Sequence, residues 1–351
     1  MLAERYGQNV DLERLAHRFA TATEFWSSPL YRALCPVVAE DRQILELVTV
    51  RQPGPQPTFL FFGAVHFLLL SGVDHELREF FPSIVDGEPR DPAAAGPVLQ
   101  AFCQQYADEI GQLLRTRLVQ TNVVKRSAAL RLGLWAIRQE TDAPVHLIEI
   151  GASAGIHLRF DRYGYTLNGT AFGDRNSPVV IDTEWRSADP PPDLDALPAV
   201  ASATGIDLHP VVTDDDRLWL RALVWPEDRA KAELLTAALA IVAADPPQIR
   251  AGDAIELCEP LSAELPAGEP RVVFHAATRI HVPRDRRPGF DRAIERLGDT
   301  GPLFQVAFEE LDRRASADRG SMLLTLRGPG DEERVALAAA GGHVDWAEPL
   351  R

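Results

Sequence analysis

The segment VHLIEIGASAGIH, Val145 to His157, constrains the fold of this chain more than any other. A strand-length apolar run carrying one acid, Glu149, passes into two glycines four apart, Gly151 and Gly155. Glycine has no Cβ to clash, so such a turn lets backbone approach a ligand or a neighbouring element closely. The spacing predicts a strand, a tight turn and a helix start, where Ser153 and unpaired N–H groups can donate hydrogen bonds.

The rest of the chain supplies a sheet for that turn. After Pro144, strand-length segments such as IDLHPV, RVVFHA, LFQVAF and SMLLTL alternate with helix-like blocks such as DRLWLRALVW and RAKAELLTAALAIVAA. That alternation predicts an α/β fold, a doubly wound and mostly parallel sheet with helices on both faces. Before residue 140 the grammar is helical. VDLERLAHRFATATEF, AVHFLLLSG, VLQAFCQQYADEIGQLLRTRLV and RSAALRLGLWAIRQ repeat apolar residues at three and four. The expected organisation is an all-helical N-terminal or cap domain over 1–140 and a sheet domain over 141–351. YGYTLNGTAFGDRNSPVVIDTEW reads as a β-hairpin insertion at about 163–200, of the kind often found at the ligand-bearing end of a sheet.

Charge narrows the partners. With 36 basic and 51 acidic residues the net charge is −15, which repels phosphate backbones and anionic lipid, so no nucleic-acid or membrane partner is expected. Cys35, Cys103 and Cys258 show no metal or redox spacing and read as buried thiols. The longest apolar run, Phe59 to Val73, falls short of the ~20 residues a membrane span needs. The N-terminus carries acids and no apolar signal core, so a cytoplasmic protein is expected.

The dinucleotide fingerprint GxGxxG has a middle glycine where this chain has Ser153, giving ExGxSxG instead. That form resembles the first motif of Rossmann-like S-adenosylmethionine-dependent methyltransferases. The resemblance implies that Glu149, Gly151, Ser153 and Gly155 hold the amino-acid end of the cofactor. GIDLHPV resembles the second strand of that fold and its acid, which assigns Asp207 to the ribose hydroxyls. IRAGDAIEL resembles the third, making Asp253 the partner of the adenine amino group. RVVFHAATRIHVP resembles the fourth, from which the family takes substrate-facing residues. The 56 residues between Gly151 and Asp207 exceed the ~20 usual in a βαβ unit. Either the hairpin insertion supplies the excess, or VVID is the second strand and the ribose falls to Asp182 or Glu184.

A second resemblance covers nearly the whole chain. VQTNVVKRSAAL, EIGASAGIHLRFDRYGY, GIDLHPV, RALVWPED and VVFHAA are similar to an uncharacterised bacterial family, domain of unknown function 2332. It draws attention to Thr121, Asn122 and Arg126 on an expected helix before the sheet. Asn122 and Arg126 would share a helix face and could grip a carboxylate or phosphate, unless they merely cap and solvate that helix.

Other residues carry two readings each. His275, ending an apolar strand, is a general base near the methyl acceptor or a hydrogen-bonded core histidine. Glu309, after LFQVAF, grips a substrate amine or hydroxyl, or makes an ion pair or helix start in EELDRR. His281 reads as ordinary loop. Asp214 to Asp216 read as acids at a helix N-terminus rather than a metal site. His66, Trp219 and Trp225 read as packing residues. The function these readings imply is methyl transfer from S-adenosylmethionine to a small-molecule oxygen or nitrogen. The alternatives are an NAD(P)-binding oxidoreductase or a non-catalytic ligand-binding module on the same fold.

Overall fold

The computed structural model describes residues 2–51, 56–310 and 321–350. They divide into one unit of Met1–Thr121 with Thr213–Glu233, and a second of Asn122–Val212 with Leu234–Arg351. The chain passes between them at 121/122, 212/213 and 233/234, where the pattern-based division has one boundary at 140. The helix Ser127–Arg138 lies in the second unit because Gly133 has no side chain. A Cβ there would come within 2.5 Å of Val306 in the sheet. Residues 213–233 join the first unit because Trp219 and Leu223 belong to its apolar core.

The first unit is helical: α1 (Leu2–Ala20), α2 (Pro29–Glu40), α3 (Arg42–Thr49), α4 (Pro57–Leu70), α5 (Ala95–Gln105) and α6 (Ala107–Thr116). α4 has no polar face and is buried almost throughout, the arrangement a uniformly apolar helix requires in water. Around it pack Phe19, Phe25, Tyr31 and Phe81, with Tyr31 stacked on Phe62 at 4.4 Å. The long periodic segment 98–119 breaks into α5 and α6 at Tyr106. The helix Asp214–Ala222 starts with a capping box between Thr213 and Asp216, so the three aspartates belong to a helix N-terminus as expected. Trp219 is buried in this core and Trp225 packs on its edge against Phe25. The three cysteines are free and buried, and burial pushes each thiol up to about 12. No helix of the described residues is long and apolar enough to cross a membrane.

In the second unit α7 (Ser127–Arg138) precedes β1 (Val145–Ile150), β2 (Gly164–Leu167), β3 (Thr170–Gly173), β4 (Val180–Trp185) and β5 (Val200–Asp207). β6 (Gln248–Ala251), β7 (Arg271–Ala276), β8 (Leu303–Glu310), β9 (Ser321–Arg327), β10 (Val335–Gly341) and β11 (Trp346–Pro349) complete one sheet of order β3-β2-β4-β11-β10-β9-β8-β7-β1-β5-β6. From β6 to β8 all pairings are parallel. The chain leaves β1 for β5 and β6 on one side, then returns to add β7 and β8 on the other. This reversal is the doubly wound switch point, and ligands of such sheets bind outside the carboxyl ends there. Helices Ala254–Glu264 and Arg287–Arg296 supply Cys258, Leu261, Phe290 and Ile294 to a core shared with Ile148, Ile206 and Val273.

The expected hairpin is present. Asn168 and Gly169 both have positive φ, 48° and 82°, in the two-residue turn between β2 and β3. The insertion does not hang at the ligand end, however. β2 to β4 extend the far edge of the sheet through β4 and β11. β5 is the parallel neighbour of β1, which puts Asp207 beside the Gly151 turn and leaves Asp182 on β4, several strands away.

His66 is buried in the first unit, with Nδ1 at 3.0 Å from the Ala222 carbonyl and Nε2 at 2.8 Å from Ser83 Oγ. Burial pulls its pKa from 6.5 down to about 4, and Arg221 adds to this, while the carbonyls of Ala222 and Val224 oppose it. The unfolded chain therefore binds the proton first. The stability contributed is complete above about pH 6.5 and disappears as pH falls toward 4, amounting to about 3 kcal/mol. Urea unfolding of the wild type should weaken across this window more steeply than that of His66→Gln. Equal slopes would refute the assignment.

A candidate ligand site at the carboxyl edge of the sheet

β1 ends at Ile150, and its turn is more tightly bound than an open anion cradle. Gly151 and Ala152 donate their N–H groups to Ile206 O, Ser153 donates to Asp207 Oδ2 at 2.8 Å, and Gly155 donates to Ala152 O. The N–H groups expected to be free at a helix start are thus largely consumed. The turn leads into a kinked 3-10 helix, His157–Arg162, rather than an α-helix. Gly151 and Gly155 have φ of 79° and 73°, and Ser153 of 51°. The bare faces of the glycines meet protein. A Cβ on Gly151 would lie 2.5 Å from Thr278 Oγ1, and one on Gly155 2.4 Å from Pro247. Their absent side chains make room for neighbouring elements, and the close approach of cofactor expected at Gly151 is taken by Thr278.

Asp207, at the end of β5, also accepts the His209 N–H at 2.7 Å. A carboxylate has about four acceptor positions, so one that serves backbone donors is chemically suited to hydroxyl donors as well. Leu208, next to it, is 62% exposed, and Val212 and Ile280 are exposed on the loops after β5 and β7. Asp253, at the end of β6, caps the helix that follows through Ile255 N and pairs with Arg286 at 2.7 Å. A structural role therefore already occupies much of that carboxylate.

Glu149 is buried and held by His157, a residue to which the sequence pattern assigns no role. His157 Nδ1 lies 2.6 Å from Glu149 Oε1, and Nε2 lies 3.1 Å from the Val123 carbonyl. The carbonyl can only accept, so Nε2 carries a proton and a second proton is shared along the Nδ1 contact. Burial raises the Glu149 pKa, the charge and hydrogen bond of His157 lower it, and Asp207 raises it further. Val123 follows Asn122, whose side-chain amide donates to Ser153 Oγ at 2.9 Å. The segment Asn122 to Arg126 is therefore laced over the turn, with a short 3-10 helix at Val124–Arg126 instead of the expected longer helix face. Asn122 and Arg126 lie in the same unit as the sheet. Thr121 is exposed and is the last residue of this stretch of the helical unit.

His275 is fully buried, edge-on to Phe290, with Nδ1 at 2.6 Å from Glu309 Oε1 and no partner at Nε2 among the described residues. A histidine sealed in this way reaches no acceptor. The base role expected of it gives way to that of holding Glu309. The same Glu309 oxygen accepts N–H groups of Thr278 and Arg279 at 3.2 and 3.0 Å. Burial alone would raise the Glu309 pKa, but His275 and these two N–H groups outweigh it, so the carboxyl sits below its ordinary range. Glu309 is thus the penultimate residue of β8 and is paired with His275, and residues 311–314 of the alternative helix start lie outside the described residues. Arg126 donates Nε to Gly342 O at 3.1 Å. Desolvation brings its pKa down to about 10, against the pull of Glu309. His281 is lowered by desolvation and by Arg126, with Glu309 opposing, so it belongs to the same electrostatic neighbourhood rather than to an indifferent loop.

Thr278 joins the halves of this edge. Its Oγ1 donates to Ile150 O at 3.1 Å, its N–H goes to Glu309, and its side chain fills the space beside Gly151. The preceding Ala277 has φ of 52°, a left-handed conformation that a non-glycine residue adopts at a cost.

Residues 13–348 match the family model described as "Uncharacterized protein conserved in bacteria (DUF2332)". No curated protein matches the chain. Two solved structures of WbdD are similar at 13% identity, with TM-scores of 0.25 and 0.24, and one is described as a bifunctional kinase-methyltransferase. Each similarity covers 59% of this chain and 32% of the WbdD chain, so this chain spans about a third of WbdD. At that level the likeness carries no argument about the site.

Gly151→Ala should destabilise the second unit by about 1–3 kcal/mol, because the left-handed backbone and Thr278 both oppose a side chain. In a Thr278→Ala background the same substitution should cost less, by about 1 kcal/mol, since the steric part has been removed. Identical costs in the two backgrounds, measured by denaturant unfolding, would show that Thr278 does not set the demand for glycine.

Proposed function

The chain belongs to the bacterial family DUF2332, and from that premise we propose that it is an S-adenosylmethionine-dependent methyltransferase acting on a small molecule. The observation that carries this reading is the placement of Asp207. It is a carboxylate at the tip of the strand beside β1, at the switch point of a doubly wound sheet, with exposed Leu208 following it. A ribose needs paired acceptors and an adenine needs an apolar face, and this tip supplies both kinds of group.

The residues that would hold the cofactor are Asp207 at the ribose, Leu208 and Asp253 toward the base, and Ser153 at the other end, where the glycines of the turn make room for Thr278 and Pro247 rather than for the cofactor. When bound, the cofactor supplies a methyl group on a sulfonium, ready for in-line displacement. The chain's own part is alignment, which accounts for most of the rate gain in such a transfer. Glu309, kept ionised by His275 and two N–H groups, accepts a hydrogen bond from the N–H or O–H of the acceptor. His275 is a positioning residue, fixing the carboxylate from behind. Asn122 and the Glu149–His157 pair fix the turn and the segment leading to Arg126.

S-adenosylhomocysteine should raise the melting temperature, since a ligand at 100 times its Kd adds about 2.7 kcal/mol to the native state. Asp207→Asn should weaken calorimetric binding by about 1–3 kcal/mol, the range for one charged hydrogen-bond partner. Asp182→Asn, on the distant β4, should leave it unchanged. Stabilisation by NAD or NADP alone would replace this reading with the oxidoreductase. Binding of S-adenosylhomocysteine without turnover of any acceptor would favour the ligand-binding module.

A further inference from the structure

Positive charge is concentrated in one place on this acidic chain. Six of its 36 basic residues are arginines within residues 279–296, the loop after β7 and the helix that follows it, whereas the whole chain carries a net charge of −15. Three of the six are neutralised: Arg279 by Asp291 at 2.7 Å, Arg286 by Asp253 at 2.7 Å, and Arg296 by Glu259. Arg284 is exposed and, among the described residues, makes no hydrogen bond or ion pair. Arg287 donates only to uncharged carbonyls, Val282 O at 3.1 Å and Ile280 O at 3.2 Å, which fix its guanidinium and leave its charge uncompensated. Arg292, the sixth, stands further along the helix. The Pro283 carbonyl accepts the N–H groups of both Arg286 and Arg287, so residues 283–287 form a helical turn. On such a turn residues three apart lie only about 60° from one another, which brings Arg284 and Arg287 to one side and puts Asp285 and Arg286 on the others. The turn is also fastened to the candidate site. Arg286 reaches Asp253 just past β6, and the neighbouring Gly252 donates its N–H to Asp207 O at 2.9 Å, so contact runs from the arginines to the tip of β5. At its start the loop is held by Thr278 Oγ1 on Ile150 O at 3.1 Å.

We propose that Arg284 and Arg287 anchor a phosphate group carried by the small molecule that receives the methyl group. Two guanidinium groups on one side of a fixed turn offer forked N–H donors to phosphate oxygens, and an anion there supplies the countercharge that the carbonyls do not. One turn suits one phosphate. A nucleic acid or an anionic lipid surface would extend over the acidic remainder of the chain, which repels it. The anchor lies on the loop of β7, at the rim of the switch point, so the phosphate is a handle remote from the reacting atom. Binding energy from such an unreactive group is what holds an acceptor in line for displacement. Only the identity of the phosphate's carrier as the methyl acceptor rests on the methyltransferase reading.

The test titrates the full chain calorimetrically at low ionic strength, with and without S-adenosylhomocysteine. The probes are inorganic phosphate and four monoesters, glycerol 3-phosphate, ribose 5-phosphate, AMP and phosphoserine, each beside its parent alcohol. At least one monoester should bind about tenfold or more tighter than its alcohol. Arg284→Ala and Arg287→Ala should each weaken that monoester by about fivefold, the upper end for charge pairs that keep contact with water, and leave the alcohol unchanged. Arg296→Ala, whose charge is already matched by Glu259, should have no effect. Added salt should weaken the wild type more than the double variant. Arg284→Ala removes no contact within the described residues, so it remains informative if Arg287→Ala loosens the loop. Monoesters bound no better than their alcohols, or bound equally well by Arg284→Ala, overturn the anchor. Binding of inorganic phosphate without any ester also overturns it, and so does arginine-dependent binding of single-stranded RNA or of phosphatidylserine vesicles when no monoester binds. A monoester held through Arg284 by a chain that takes no S-adenosylhomocysteine would sustain the anchor and remove the methyltransferase reading. Binding of S-adenosylhomocysteine without an arginine-dependent monoester would do the reverse.

Discussion

The hydrogen bond from the Ser153 N–H to the Asp207 carboxylate ties the tip of β5 to the turn after β1, and the geometry of the candidate site depends on it. Ser153 is held at φ 51°, a conformation that would relax if its N–H were released. With that residue fixed, its hydroxyl receives Asn122 and its carbonyl receives Val211, so both the incoming segment and the loop after β5 take their positions from one turn. The carboxylate is therefore a structural acceptor before it is anything else. Any ligand hydroxyl that it binds shares it with the backbone.

Around that turn, two acid–histidine pairs perform comparable tasks, one starting on β1 and the other joining β7 to β8. Glu149 with His157 secures the Val123 carbonyl, and Glu309 with His275 secures the loop after β7. They differ in the state of the carboxylate. Glu149 relies mainly on one histidine in a site where burial dominates, and its pKa rises. Glu309 adds two backbone N–H groups, and its pKa falls. The second arrangement favours the charged carboxylate at the edge of the sheet, while the first disfavours it. Glu309 is also the less deeply placed of the two, so lighter desolvation and added N–H donors both favour its charged form.

Thr278 illustrates how a site of this kind resists truncation into separate motifs. It touches Gly151, the end of β1 and Glu309 at once. Its contribution arises only because β7 returns beside β1 after more than a hundred residues of intervening chain. A glycine that looks reserved for a ligand is, in the folded protein, reserved for a threonine.

The alternation of strands and helices, the turn at Gly151, the Asn168-Gly169 hairpin and the helix cap at Thr213 to Asp216 were legible in the sequence. They depend on local backbone preferences and periodicity that a short window contains. The same holds for His66 and Trp219 as core residues, whose neighbours are apolar. The pairing of β5 with β1, which separates Asp207 from Asp182, was undetermined until the sheet assembled, because two strand-length segments competed for one edge. Likewise, His275 looked like a base and Glu309 like a grip on a substrate amine or hydroxyl, but only packing against Phe290 sealed the imidazole and turned it into the partner of that carboxylate. His157 carried no local mark of its role, being defined by a carboxylate eight residues back and a carbonyl from before the sheet. Sequence determines which groups can hydrogen bond and which stretches can form each element. Tertiary structure decides which of those groups lose water together, and that loss sets partner, charge and access.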